Sequence, residues 1–485
     1  MKPASLLSAP SRSRRAGRCA RAALAALTAV TLAGCATLAD DAGFGGVAQA
    51  AKSNLGAELA WARSPSERAA LDARVAELLR APLSADAAVQ VALLNHRGLQ
   101  AAFDELGISD AERVQASSLP NPGFSFGRLR QGAATEIDRG VHVNLARLLM
   151  LPMLDRLETR RHEQVRADVT MRVLALAGQV RSAYYTALAA EETVRYMRQV
   201  QDAAEAGAEL ARRQFQAGNW NKLQQAREQG FHADAALNLA RAEQARGAAR
   251  ERLIRGLGVW GAQTQFTLPE RLPDLPAAPE DRPQIEQAAM AQRLDVQAAR
   301  LGAEQLARNL GLVRVTRFVN VLELGAVRNS FSEEPVERGY EVTLELPLFD
   351  WGGARVARAE ATYWQAVNRA AQTAIEARSE VREAYAAYRA SHDIARHYRD
   401  EIVPLKKRIS DENLLRYNGM LIGVFELLAD ARSQIASVNG YIEALRDFWL
   451  AHATLETALI GPAGTAAGPP PPGPKGAPDG AAGGH

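Results

Sequence analysis

The chain has 485 residues, 47% of them hydrophobic but only 6% aromatic, and a formal charge of +3. Alanine supplies much of the apolar content, which favours helices packed at short distance over one bulky core. No stretch beyond the N-terminal segment is long and apolar enough for a transmembrane helix.

The N-terminus reads as a signal peptide over residues 1–34: Arg12, Arg14, Arg15, Arg18 and Arg21 precede the apolar run 22–33. Its end, Leu32-Ala33-Gly34-Cys35, is similar to the lipobox of bacterial lipoproteins, in which the cysteine is acylated. Cleavage there removes six of the 58 basic residues and leaves 52 against 55 acidic ones, about −3, so a nucleic-acid-binding reading loses its support. It also removes Cys19, and with Cys35 as the one remaining cysteine no intrachain disulfide or cysteine metal site is expected. Ala36 and Thr37 follow, without an Asp at the second position; by resemblance to lipoprotein sorting signals this points to the outer membrane.

Residues 35–81 read as a small, polar tether with Gly43, Gly45 and Gly46, followed by a short amphipathic helix from Ser66 to Leu79. Ser84, as N-cap with Asp86 in the first turn, opens a helix to about Ser118, stopped by Pro120-Asn121-Pro122. Strands are expected over 123–130 and 137–145, the second alternating Val141, Val143 and Leu145 with His142 and Asn144. A long helix from about Leu154 to Ala217 breaks at Gly218-Asn219, and another continues to about Leu257. Pro269, Pro273, Pro276, Pro279 and Pro283 mark a linker over 269–283 without regular structure.

The programme then runs again: a helix from about Gln284 to Arg317, strands over 318–327 and 340–346, and a very long helix over 353–417. In that helix two seven-residue series, Val367 to Ile409 and Tyr363 to Leu405, are apolar or aromatic at thirteen of fourteen positions. That is a coiled-coil seam, reaching roughly 95 Å as an unbroken helix, with Pro404 expected to bend or loosen it. A break at Asn418-Gly419 leads to a last helix to about Leu459, and 461–485 is a disordered Pro/Gly/Ala tail. The halves 82–268 and 284–460 superimpose at a shift of 201 to 202: Gly123 on Gly325, Phe215 on Tyr417, Leu223 on Phe425, Tyr184 on Tyr385. We read this as an internal duplication. The fold class is mainly α with a small β part, a doubled helix, strand, strand, long helix, helix unit. Four strands cannot close around a lumen and an open edge cannot sit in lipid, so strands that enter a membrane require several copies of the chain.

This plan resembles the TolC-like outer-membrane factors, on residues spread over the mature chain. They include Leu119-Pro120-Asn121-Pro122 before the first strand, the run from Leu344 to Gly353 between strand and helix, Phe215-Gln216-Ala217-Gly218-Asn219 at the first tip, and the run from Phe425 to Arg432 at the second. The resemblance implies a homotrimer with one twelve-stranded outer-membrane β-barrel continuing into a periplasmic α-helical barrel. Its far tip would dock a periplasmic adaptor protein and an inner-membrane pump, with acylated Cys35 as an extra anchor in outer-membrane lipid. In the family an aromatic residue near the tip turn, followed nine and twelve positions later by acidic residues, lies at the closed aperture. Here Tyr417 leads to Glu426 at nine; Ala429 stands at twelve, with Asp430 one later. The first repeat has Gln224 and Arg227 at those positions after Phe215. The usual glycine three after the aromatic is Gly218 in the first repeat but Met420 in the second, where Gly419 stands one earlier and the turn is formed by Asn418 and Gly419.

No constellation suggests an enzyme, a cofactor or a nucleic-acid partner. His392 and His397, five apart, are read as solvated surface residues and not as a metal pair, and Glu191-Glu192 as a surface charge pair. The rival readings are a structural coiled-coil envelope lipoprotein and a periplasmic adaptor, neither with its own pore. Details such as Leu106-Gly107-Ile108 are reminiscent of metal-resistance branches of the family.

Overall fold

A computed structural model describes residues 38–316, 322–331, 335–344, 349 and 351–462. The signal peptide, Cys35, most of the tail and residues 345–348 and 350 of the Leu344 to Gly353 run lie outside the described residues. In order, the elements are α1 (Phe44–Leu55), α2 (Pro65–Leu78), α3 (Ala85–Asn95), α4 (Arg97–Ser117), β1 (Gly123–Gln131), β2 (Ala134–Asn144), α5 (Leu145–Gln216) and α6 (Lys222–Leu257). After the linker come α7 (Ile285–Gln292), α8 (Leu294–Thr316), β3 (Leu322–Phe331), β4 (Glu337–Leu344), α9 (Gly353–His397), a π-turn (Tyr398–Ile402), α10 (Val403–Asn418) and α11 (Val424–Ile460). The duplicated order is therefore present, and both tip breaks keep the shift of 202: Gln216 and Asn418 end one helix, Lys222 and Val424 begin the next. Among the described residues no helix is long and apolar enough to cross a membrane.

The chain forms two compact units. One combines the residues up to Ala42 with Gly107–His162 and Gln305–Tyr363; the other combines Gly43–Leu106, Glu163–Glu304 and the chain from Trp364 onward. The first contains a four-stranded antiparallel sheet in the order β1-β2-β3-β4, so both edges are strands without a further partner in the sheet. Each repeat gives one hairpin, and β2 and β3 join the hairpins.

The second unit is a helical body. Its core runs through Val180, Tyr184 and Leu188 on α5, Leu253 and Leu257 on α6, Val381 and Tyr388 on α9, and Phe448 and Leu455 on α11, all buried. Each such side chain contributes on the order of 1.5–3 kcal/mol by leaving water. An aromatic layer crosses three helices, with Tyr185 stacked on Trp449 at 5.3 Å and Tyr388 against Phe448 at 5.5 Å. The seam of the sequence is visible in α9: Ala377, Val381, Ala384, Tyr388 and Ala395 are the buried positions, with His392 among them.

Several expectations are corrected. The residues read as a tether form α1, because Phe44, Val47 and Ala51 share one face; Phe44 packs edge-on against Phe103 at 4.9 Å, and Val47 and Ala51 are fully buried. The Ser84-capped helix is present, with Ala87 N–H donating to Ser84 Oγ, but it breaks at His96 into α3 and α4. The helix expected from Gln284 breaks likewise at Arg293. The two breaks do the same job. In repeat one Asn95 Nδ2 donates to the carbonyl of Gly258, just past the end of α6; in repeat two Arg293 Nη1 donates to the carbonyl of Ala458 near the end of α11. Arg293 is 1% exposed. Burial alone would depress its pKa, but Asp295 at 2.6 Å and Glu380 at 2.8 Å outweigh that and hold it charged.

The single long helix expected over 353–417 is interrupted by the π-turn at Tyr398–Ile402. Pro404 lacks the N–H that an α-turn needs and its ring crowds the preceding turn, so the backbone widens just before it. The linker has no regular structure from Phe266 to Pro283 but is not free: Trp449 Nε1 donates to Pro273 O at 3.0 Å, Arg399 to Leu275 O at 3.2 Å, and Glu280 N–H to Tyr388 Oη at 3.0 Å. His392, expected at the surface, is fully buried beneath it, with Nε2 3.0 Å from Pro276 O and its ring edge-on to Phe448. Glu192 is not an idle surface charge either, since it accepts from Leu272 N–H at 2.9 Å.

Candidate functional site: a two-faced sheet and a helical tip

Alternation along each strand divides the sheet into two faces. Cross-strand partners share a face, which joins Phe124, Val141, Ala326 and Tyr340 into one row and Val143, Leu324 and Val342 into the next. Leu322 pairs with Leu344 beyond them. Phe124, Val141, Leu324, Tyr340, Val342 and Leu344 are all exposed, an apolar surface that none of the described residues covers. Toward the hairpin turns the same face continues with the row Phe126, Arg139, Arg328, Arg338, and then Arg128 and Arg130.

The opposite face carries Glu136, Asp138, Glu323, Glu337 and Glu341 together with His142. Charge is thus sorted completely within the strands: five carboxylates on one face, five guanidiniums on the other. Nothing in a two-residue period requires that sorting.

The helical tips lie in the other unit. At the first, Gly218 N–H donates to Phe215 O and Asn219 N–H to Gln214 O, a Schellman turn closed by Gly218 at φ 79°. At the second the same two bonds recur 202 residues later, from Met420 to Tyr417 O and from Leu421 to Arg416 O. Met420 takes the left-handed position at φ 59°, while the neighbouring Gly419 has φ −80°. The left-handed residue therefore stays three after the aromatic, and the shifted glycine does not replace it.

Of the residues expected at an aperture, Tyr417, Glu426 and Arg227 are exposed. Asp430 is half-buried and accepts from Asn413 within its own hairpin. Gln224 closes a capping box with Asn221, each side chain accepting the other's backbone N–H at 2.9 Å, and so helps start α6. Phe215 is half-buried and Asn219 bonds Gln214. Asn418 ends α10, exposed like Gly419.

Sequence reasoning missed two charged groups here. Glu228 is 2% exposed and pairs at 3.0 Å with Arg432, whose guanidinium lies over the Phe231 ring, so α6 and α11 are clamped near their tips. No apolar stripe marks Glu228 in the sequence, since Asn221, Gln224 and Gln225 precede it on the same face and only Phe231 and Ala235 follow as apolar neighbours. Before the first tip, Glu209 is gripped by Arg212 and, one position on, Arg213, and these hydrogen bonds pull its pKa to about 2. The second tip is apolar as well as charged: Leu414, Leu415, Met420 and Leu421 are exposed, Met420 almost wholly. Among the described residues no group of three or more His, Cys, Asp or Glu is placed to hold a metal ion.

No protein-family model matches the chain. The cobalt-zinc-cadmium resistance protein CzcC of Cupriavidus metallidurans is 26% identical over 282 residues, covering 56% of this chain; the match spans 64% of CzcC, less than two thirds of its length. Among solved structures, CusC matches with a TM-score of 0.65 at 17% identity, covering 78% of this chain and 92% of that one. The outer-membrane protein VceC of Vibrio cholerae matches with 0.65 at 14% identity, covering 80% and 96%. The outer-membrane channel MtrE of Neisseria gonorrhoeae, in its open state, matches with 0.63 at 19% identity, covering 77% and 88%. At these identities the likeness establishes the fold.

Proposed function

We propose that this chain, which has the fold of the TolC-like outer-membrane factors, is the outer-membrane channel of a tripartite efflux system: a passive homotrimeric conduit from periplasm to exterior. The observation that carries this reading is the two-faced sheet. Its apolar face suits lipid and its acidic face suits a water-filled lumen. Four strands with two free edges need partners, and an even number lets copies continue the antiparallel alternation from β4 of one to β1 of the next. Three copies make the twelve strands that the family resemblance implies. A pore-free coiled-coil lipoprotein would leave the sorting of charge unexplained.

A lumen lined by Glu136, Asp138, Glu323, Glu337 and Glu341 favours cations. Together with the likeness to a protein named for cobalt, zinc and cadmium resistance, this points to divalent metal ions as cargo. The conduit needs no catalytic group. The exposed Leu415, Met420 and Leu421 give an adaptor an apolar surface to cover, with an inner-membrane pump beyond it. Cys35, if acylated, anchors each copy in outer-membrane lipid; incorporation of labelled palmitate that Cys35→Ser abolishes is the check.

The decisive experiment is reconstitution of the full chain in planar bilayers. The wild type should conduct with cation over anion preference and migrate as a heat-modifiable trimer. Neutralising the five sheet carboxylates should lower that preference several-fold. A monomer without conductance overturns the proposal.

A further inference from the structure

We infer that the outward face of the sheet carries a seat for a phosphorylated lipid, built from Arg139, Arg328 and Arg338. This rests on the barrel reading above and adds to it a specific lipid partner.

The register sets the three side by side. Arg139 on β2 is the partner of Arg328 on β3, which is the partner of Arg338 on β4. Neighbours across strands on one face have Cβ atoms roughly 5 Å apart, and like charges there are destabilising. Within the strands no carboxylate shares their face, since all five lie on the other. All three arginines are exposed, and among the described residues none is in an ion pair. The fold thus holds three adjacent guanidiniums together at a cost that an external anion would offset.

What surrounds the row selects the anion. On its helix side lie Tyr340, Ala326, Val141 and Phe124, and in the row itself Phe126, so acyl chains have an apolar bed directly beside the charges. On its other side the strands run into the hairpin turns, with Arg128 and Arg130 reaching further. The row therefore marks the boundary at which hydrocarbon gives way to headgroups, at the end of the barrel away from the helices. Guanidinium is a planar, weakly hydrated donor that binds phosphate through paired hydrogen bonds. A lipid with phosphate on its headgroup supplies both halves at once. An acidic peptide or a nucleic acid would use the arginines and leave the apolar bed uncovered. The occupant we assign is the phosphorylated glycolipid of the outer leaflet.

The test uses the full chain in detergent, exposed to bisphosphorylated lipid A or to the same lipid stripped of its phosphates, with retained lipid counted by native mass spectrometry. The wild type should retain the phosphorylated form about ten-fold or more over the stripped form, since each lost charge-assisted contact is worth several-fold in binding, and salt should erode the difference. R139Q/R328Q/R338Q should abolish the discrimination, whereas E323Q/E341Q, on the other face, should preserve it. Equal retention of both lipids by the wild type overturns the seat, and so does undiminished discrimination by the triple variant. Should the triple variant not fold, the wild-type comparison between the two lipids decides alone. Conductance of the same wild-type preparation separates the levels: a conducting trimer that ignores phosphate overturns only the seat, while a monomer that does not conduct overturns the channel itself.

Discussion

Met420 occupies a backbone conformation that its twin position gives to glycine. A side chain at φ 59° crowds its own carbonyl, which costs about 1–2 kcal/mol, and glycine escapes that at the expense of a more mobile unfolded chain. Met420→Gly should therefore stabilise the second tip by about 0.5–1 kcal/mol and Gly218→Ala should loosen the first by about 1 kcal/mol, read as slower and faster amide exchange at the two turns. A second residue reports on the core. Burial lowers the pKa of His452, which packs against Tyr388 and Trp449, and lowers that of His96 too. Above about pH 6.5 both folded and unfolded chains leave these rings neutral; below it the unfolded chain takes protons that the folded one refuses, so stability falls as pH drops. Replacing His452 by Phe should shallow the decline of the melting temperature between about pH 7 and 5.5 without removing it, since His96 remains.

At the scale of elements, close approach between helices is the governing device. A Cβ on Gly178 of α5 would meet Thr457 Oγ1 of α11 at 2.3 Å and its methyl at 3.2 Å, and a β-branched side chain has little room to turn away. Gly178→Ala should destabilise by about 1–3 kcal/mol in denaturant unfolding followed by circular dichroism, and Thr457→Ala in the same chain should recover most of the loss. Elements of this kind were largely legible beforehand. Strands with a two-residue period and helices with a seven-residue one announce themselves locally, so both hairpins, the courses of the long helices apart from the π-turn at Tyr398–Ile402, and the duplication could be read from residues alone. The breaks at His96 and Arg293 could not. They depend on partners more than 160 residues away, in Gly258 and Ala458, and no local period records such a bond. The ordered linker and α1 escaped for the same reason: prolines and glycines look loose until the surfaces that bind them are known. At the tips the turn positions were legible, but the buried Glu228 to Arg432 clamp was not.

For the whole molecule, the proposed channel would carry selectivity at more than one place. Exposed Glu426 at the tip and the sheet carboxylates would then both act on a passing ion. Glu426→Ala should therefore weaken divalent block measured from the helical side while leaving most of the cation preference, because the sheet carboxylates remain. Unchanged divalent block would remove Glu426 from the aperture. Substitutions at Glu228 or Arg432 should instead ease opening, seen as a larger fraction of time conducting, since they release α6 from α11.

The free edges of the sheet have a genetic corollary. If every pore is stitched from three copies through β1 and β4, one defective edge spoils the ring it joins. A chain carrying proline at Glu341 in β4, co-produced with the wild type, should poison mixed assemblies, and functional pores should decline with the cube of the normal chain's share.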